Sequence, residues 1–293
     1  LLTEDNLTGV TVYEGDKGKE KIKYSLGDYF KGDDSRNKPG AISVYDYNNN
    51  TAQDANNETL DEVRSYNISD KENWEDILAD LLSDDSAKLD NYRGYLDSVS
   101  VFSGAKGAEV IEQTYYYEDG AVTSRKDYEY VDREIKYSER KKALKAAYTY
   151  DTQALSEGDK KTRGSGELVT EDTFTGGPDR EKIDQTFGYE DGQIISRKDY
   201  QYKNGALERV YVFDVSGVSG VEEKRKRSSI DYDSGAGQIN FASALTQFSG
   251  DLVEESVFGG RGGSEKIQAA ILYDGADIVG RKDYYYEGKK LVL

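Results

Sequence analysis

No cysteine and no histidine occur among the 293 residues. The first absence excludes disulfides, thiol nucleophiles and thiolate metal sites. The second removes Ser-His-Asp and Cys-His catalytic systems and imidazole-held zinc or iron. Methionine is missing too, so the sequence reads as a processed product, a fragment, or a chain whose modified residues are left unwritten. Two prolines, Pro39 and Pro178, both sit in turn text, as continuous strand ladders require. No run of about 18 apolar residues exists, which gives no membrane span. Cations are in deficit, with 39 Lys and Arg against 57 Asp and Glu. The resulting charge of −18 repels phosphate backbones and argues against nucleic-acid binding. Carboxylates remain as catalytic groups, and glycosidases need only two. With 57 of them a pair at working distance is unavoidable, so no pair is diagnostic.

What is present is tyrosine and a repeat. Twenty-five Tyr and eight Phe are spread through patterned segments, which speaks for a folded chain despite a hydrophobic share of 36%. Tyrosine favours strands, buries a large ring and keeps a hydroxyl for water, so it suits thin sheets with wet faces. The phrases EDGAVTSRKDYEY (118–130), EDGQIISRKDYQY (190–202) and DGADIVGRKDYYY (274–286) belong to a longer frame. Anchored on Glu20, Glu109, Glu181 and Glu265, that frame places Ile two residues later and an aromatic seven residues earlier. It also places Gly five earlier, Leu thirteen earlier and Arg sixteen later. Four gapless registers of this kind mark a four-fold repeat.

Each block reads as a β-meander. A strand ends in a glycine turn, a second strand follows, a DG turn leads to the SRKDY-type third strand, and KNG at 203–205 opens a fourth. The organisation expected is 1–47 repeat 1 (degenerate), 48–95 loop and helical insertion, 96–167 repeat 2 with connector, 168–251 repeat 3 with connector, and 252–293 repeat 4 (truncated). Within the insertion, residues 48–67 read as an Asn/Asp/Thr-rich loop. The stretch 69–82 then reads as a helix with a Ser69–Glu72 capping box and Trp74, Ile77, Leu78, Leu81 and Leu82 on one face. A second helix is expected over 86–95, with Leu89 and Tyr92 inward, and 138–147 also has helical text, whereas EEKRKRSS at 222–229 reads as loop or edge.

Strand alternation puts Ile194, Ser196, Lys198, Tyr200 and Tyr202 on one face, and Arg197 with Asp199 on the other. Two roles follow: a scaffold in which Arg–Asp pairs staple the sheet, or a repeated binding surface. The binding candidates are Arg125, Tyr128, Tyr130, Arg197, Tyr200, Tyr202, Arg281, Tyr284 and Tyr286. Scaffolding is the reading favoured, because a catalytic centre is needed once and a staple in every repeat. No catalytic residue and no organic cofactor are indicated. The acidic loop at 46–62 is a candidate calcium site through Asp46, Asn48, Asn50, Asp54 and Glu58, although it lacks the glycine and terminal glutamate of an EF-hand loop.

The stretch GYEDGQIISRKDYQYKNGALERVYVFD (188–214) is similar to the tyrosine-rich hairpins of YD-repeat (Rhs-like) bacterial proteins. Tyr189-Glu-Asp-Gly and Tyr202-Lys-Asn-Gly recur thirteen residues apart, while the Gly-Arg-Leu core of that family is absent. The resemblance implies a secreted, sheet-built shell or surface fibre and transfers no functional residue. The fold expected is mainly β: four antiparallel meander repeats in an elongated sheet or solenoid, with a helical insertion near 69–95. The alternative is a four-bladed β-propeller. The function expected is that of a non-enzymatic, extracellular or cell-surface bacterial repeat protein that presents tyrosine-rich sheet to a glycan, a peptide or another copy. The alternatives are a carboxylate-based polysaccharide hydrolase on a propeller and a self-assembling shell subunit joined through edge strands.

Overall fold

The computed structural model describes residues 9–15, 20–27, 30–31, 37–48, 59–69, 71, 73–83, 88, 91–134, 140–178, 180–226, 250–275, 277–287 and 290–292. Repeat 1 supplies β1 (Gly9–Glu14), β2 (Lys21–Gly27), a small hairpin of β3 (Phe30–Lys31) and β4 (Asn37–Lys38), β5 (Ala41–Asn48) and β6 (Thr59–Asn67). Repeat 2 supplies β7 (Leu96–Ser103), β8 (Val110–Glu118), β9 (Ala121–Glu134) and β10 (Arg140–Asp151). Repeat 3 supplies β11 (Glu167–Thr175), β12 (Lys182–Glu190), β13 (Gln193–Lys203) and β14 (Ala206–Asp214). Repeat 4 supplies β15 (Asp251–Gly259), β16 (Lys266–Asp274) and β17 (Asp277–Asp283), with the hairpin β18 (Tyr285–Glu287) and β19 (Lys290–Val292).

Leaving aside the hairpins β3–β4 and β18–β19, the strands form one fifteen-stranded antiparallel meander in chain order, with β1 and β17 as its edges. The sheet does not close, and separate four-stranded blades are absent, so the propeller alternative is overturned. The chain parts into two compact units, Leu1–Tyr128 with Tyr150–Gly166 and Glu129–Thr149 with Glu167–Leu293. The first holds two apolar clusters, one around Ile42, Tyr66, Ile68, Ile77 and Leu81 and one around Val99, Tyr115 and Val122. The second is built on Phe187, Ile194, Phe213, Val215, Leu252 and Tyr273.

The hairpin turns follow from local chemistry. Asp119–Gly120, Asp191–Gly192 and Asn204–Gly205 all have positive φ, the two-residue turn whose twist matches that of the strands. The frame glycine between first and second strands is fixed by space as well. A Cβ on Gly104 (φ 121°) would lie 2.7 Å from the Ala108 carbonyl, and one on Gly260 (φ 126°) would lie 2.8 Å from that of Ser264.

Beyond each turn the register slips by one residue, always on the second strand of the hairpin, and always beside an aromatic paired with an aliphatic. The pairs are Tyr13–Ile22, Tyr47–Leu60, Tyr66–Leu96, Phe102–Ile111 and Tyr117–Val122 in the first unit. In the second they are Phe174–Ile183, Tyr189–Ile194, Tyr202–Leu207, Phe213–Leu252, Phe258–Ile267 and Tyr273–Ile278. A bulge breaks simple alternation, because the extra residue sends its neighbour to the other face. Ile194 is therefore buried with Phe187 and Phe213 on the Arg197 side, not beside Lys198 and Tyr200 as unbroken alternation predicts.

Other expectations are corrected. Residues 59–67 form β6 rather than loop. Residues 140–151 form β10, so the helical text at 138–147 yields to strand pairing; Ala143, Ala146 and Ala147 are buried in it. Conversely, a short helix occupies Val221–Arg225, where loop or edge was expected. The helix Trp74–Leu81 is present and sets Ile77 and Leu81 into the repeat 1 cluster. Its N-cap is Asn73, not a capping box: Ser69 Oγ donates to Asn67 Oδ1 at 2.9 Å, and Glu72 lies outside the described residues. Of the second helix, a 3-10 turn at Arg93–Tyr95 is described, with Tyr92 half-buried before it, and Leu89 lies outside the described residues.

Candidate binding surface

The third strand of each repeat carries two different faces, and the arginine face is built to hold the chain that follows. Arg125 is 0% exposed. Its Nε donates to Asp127 Oδ1 at 2.8 Å, Nη1 donates to the Lys160 carbonyl at 2.8 Å, and Nη2 donates to the Ser165 carbonyl at 2.7 Å. Gln113 Nε2 donates to the same Asp127 oxygen at 2.8 Å, and the Tyr150 ring lies 4.9 Å from the guanidinium. Repeat 3 restates this arrangement. Arg197, also 0% exposed, pairs with Asp199 at 3.1 Å and donates through Nη1 to the Lys224 carbonyl at 3.1 Å. Gln185 donates to Asp199 at 2.7 Å, and the Phe213 ring lies 4.4 Å from the guanidinium. A planar guanidinium with five donors suits this work, since it meets a carboxylate, main-chain carbonyls and a ring at once.

The connector of repeat 3 adds a second ionic contact on that face. Arg225 chelates Glu171 through both terminal nitrogens, Tyr189 donates to Glu171 Oε2 at 2.7 Å, and the guanidinium stacks 4.6 Å from the Phe187 ring. Burial works against the Glu171 charge, but hydrogen bonds from Arg225 and Tyr189 outweigh it and hold the carboxyl below its ordinary value. Burial and the Glu171 carboxylate push the Tyr189 phenol up.

The fourth strands share a pattern that the first reading missed: Leu, then an aromatic six residues on, then Asp or Asn. It covers Leu60-Tyr66-Asn67, Leu144-Tyr150-Asp151 and Leu207-Phe213-Asp214. The leucine N–H donates to the anchor glutamate of the next repeat, Leu60 to Glu109, Leu144 to Glu181 and Leu207 to Glu265, at 3.4, 3.2 and 2.8 Å. Main-chain donors, Leu207 first, hold the Glu265 carboxyl below its ordinary value. The Asn or Asp oxygen accepts the N–H two residues on, from Ser69, Gln153 and Ser216, and turns the chain off the sheet. The next residue, Ile68, Thr152 or Val215, is 0% exposed in each case. The frame glutamate and the connector entry were therefore both legible as spacings.

On the opposite face the described parts of the connectors make no such contacts, and the tyrosines lie there. Tyr128, Tyr130, Tyr200 and Tyr202 are half-buried on the side of Lys126 and Lys198. Tyr200 and Thr186 hydroxyls are 3.3 Å apart. A lysine covers the ring at the end of the third strand: Lys21 over Tyr47 at 5.0 Å, Lys182 over Tyr202 at 4.5 Å and Lys266 over Tyr286 at 4.6 Å. Repeat 2 has Val110 at that frame position, one residue after Glu109. Hydroxyl pairs link neighbouring strands, Ser43 with Ser65 at 2.9 Å and Ser100 with Thr114 at 3.0 Å. Of the nine candidates, Arg125 and Arg197 are thus spent inside the fold, while the six tyrosines and Arg281 keep accessible surface.

Among the described residues no group of three or more acidic side chains is placed to hold a metal ion. Of the calcium candidates, Asp46 is ion-paired with Arg64, Asn48 is described only as the end of β5, and Asn50, Asp54 and Glu58 lie outside the described residues. Among the described residues no helix is long and apolar enough to cross a membrane.

No family model matches the chain, and no curated protein does. Among solved structures, a chain of "Crystal Structure of TcdB2-TccC3-Cdc42" aligns over 96% of this sequence at 8% identity and a TM-score of 0.19. This chain spans 15% of that one.

Proposed function

We propose that this is a non-enzymatic structural or adhesive repeat protein of a bacterial exterior, presenting the tyrosine face of its sheet to a glycan, a peptide or another copy. The observation that carries the reading is the division of labour within one strand. Arg125 and Arg197 bind the connectors on one side, while Tyr128, Tyr130, Tyr200 and Tyr202 stay on the other. Amphipathic rings flanked by lysine stems and hydroxyls suit stacking on sugar rings or on a peptide backbone. The hydrolase alternative loses the propeller scaffold on which it was placed.

Binding of the purified chain to a glycan and peptide array tests this. A ligand should be retained by the parent chain and lost at least tenfold in the double variant Tyr202→Ser, Tyr286→Ser, with an unchanged circular-dichroism spectrum. Turnover of a polysaccharide that disappears on changing one Asp or Glu would overturn it.

A further inference from the structure

Repeat 4 carries the same Arg–Asp staple with nothing described over it. Arg281 Nε and Nη2 both reach Asp283 Oδ1 at 2.8 Å, yet the Arg281 side chain is 62% exposed. The neighbours differ in the same sense. Ile278 and Val279 are 60% and 63% exposed, whereas Ile194, the repeat 3 counterpart of Ile278, is 3% exposed. In repeat 3 these positions are covered by β14 and its connector. Phe213 is the Cα partner of Arg197 and stacks on it, the Lys224 carbonyl accepts from Nη1, and the Val215 N–H donates to the Ile195 carbonyl at 2.9 Å. Repeat 2 repeats each contact with Tyr150, Lys160 and Thr152, whose N–H donates to the Thr123 carbonyl at 3.0 Å.

We propose that the β17 edge is a binding site for an extended segment of a second polypeptide with fourth-strand chemistry. The segment pairs antiparallel to β17, lays an aromatic ring on Arg281, then turns and offers a main-chain carbonyl to the guanidinium. This is strand addition with one specified anchor. The geometry is that of contacts made twice within this chain, so the occupant is defined by the pattern Tyr-x-aromatic-Asp followed by a small-residue turn. First-strand edges are a poor match, because first strands here pair with second and fourth strands and never with a third. Pairing of β17 with itself in full overlap is also disfavoured, since it sets Asp277 opposite Asp283 at both ends. The proposal concerns the sheet edge and stands apart from whatever the tyrosine face binds.

The probe is a labelled synthetic peptide of residues 208–226, ERVYVFDVSGVSGVEEKRK, added to the whole 293-residue chain. Fluorescence anisotropy should show saturable binding, and hydrogen exchange should slow across Asp277–Asp283. Phe213→Ala in the peptide and Arg281→Ala in the protein should each weaken binding at least tenfold. Arg281 is exposed, so an unchanged thermal transition would show that the variant protein is folded. No saturable binding, protection elsewhere in the sheet, or equal affinity for Arg281→Ala would overturn the proposal. So would β17 protection that rises with protein concentration alone, which would assign the edge to self-pairing.

Discussion

Repeats 1 and 3 dock their connectors on the sheet by opposite means. In repeat 1 the helix Trp74–Leu81 seats Ile77 and Leu81 against Leu26, Ile42 and Tyr66, an apolar contact that asks only for matching volume. In repeat 3 the helix Val221–Arg225 has too few apolar residues for that. It is held by Arg197 gripping the Lys224 carbonyl, by Lys224 Nζ donating to the Ile194 carbonyl at 2.7 Å, and by Arg225 on Glu171. One frame thus accepts either an oily or an ionic lid, provided that the strand leading into it ends in the same Asx turn. The ionic lid fixes orientation through directed bonds, and it is the more fragile of the two when a partner is lost.

Arg197→Ala should expose that fragility most. It leaves the buried Asp199 carboxylate without its ion-pair partner, so a loss of about 3–5 kcal/mol is expected, read as faster hydrogen exchange across β12–β14. Ile77→Ala should cost about 2–5 kcal/mol and lower the denaturation midpoint reported by Trp74, the single tryptophan and a neighbour of that cluster. The third effect is pH-dependent. Glu171 and Glu265 both have depressed values, so their contribution is present above the ordinary glutamate range, about 4.3, and is lost as pH falls through their lowered values. Exchange protection of β11–β16 should therefore weaken on acidification below about pH 4.3, and Glu265→Gln should flatten part of that dependence. Smallest is Arg281→Ala, where the same residue type in the same motif is solvent-exposed, and a change within about 0.5 kcal/mol is expected. A large loss there would mean that the lid is not what makes the buried arginines matter.

Much of this was legible in the sequence because turns and frame positions are marked chemically. The DG and NG pairs name the hairpins, the frame glycines leave no room for a Cβ, and the 3.6-residue spacing of Trp74, Ile77, Leu78 and Leu81 names the helix. What hid was settled by partners distant in sequence. KKALKAA is strong helix text, yet its Leu144 N–H belongs to Glu181 and its alanines to the sheet interior. The face of Ile194 was misread because a bulge is invisible to a period of two. For the candidate surface, alternation correctly separated the arginines from the tyrosines. It gave no hint that Arg125 and Arg197 would be sealed beneath residues 35 and 27 positions away.

The bond from a fourth-strand leucine to the next anchor glutamate has a consequence for how such a chain changes length. Because the same bond closes every junction described, an in-frame excision of residues 182–265 would set Lys266 directly after Glu181 and preserve the text REKI. Glu181 would still receive Leu144, and β11 would meet β16 in the register that β15 uses now. Recombination between anchors therefore adds or removes whole repeats without creating a mismatched seam, and the number of repeats becomes a quantity that selection can adjust independently of the fold.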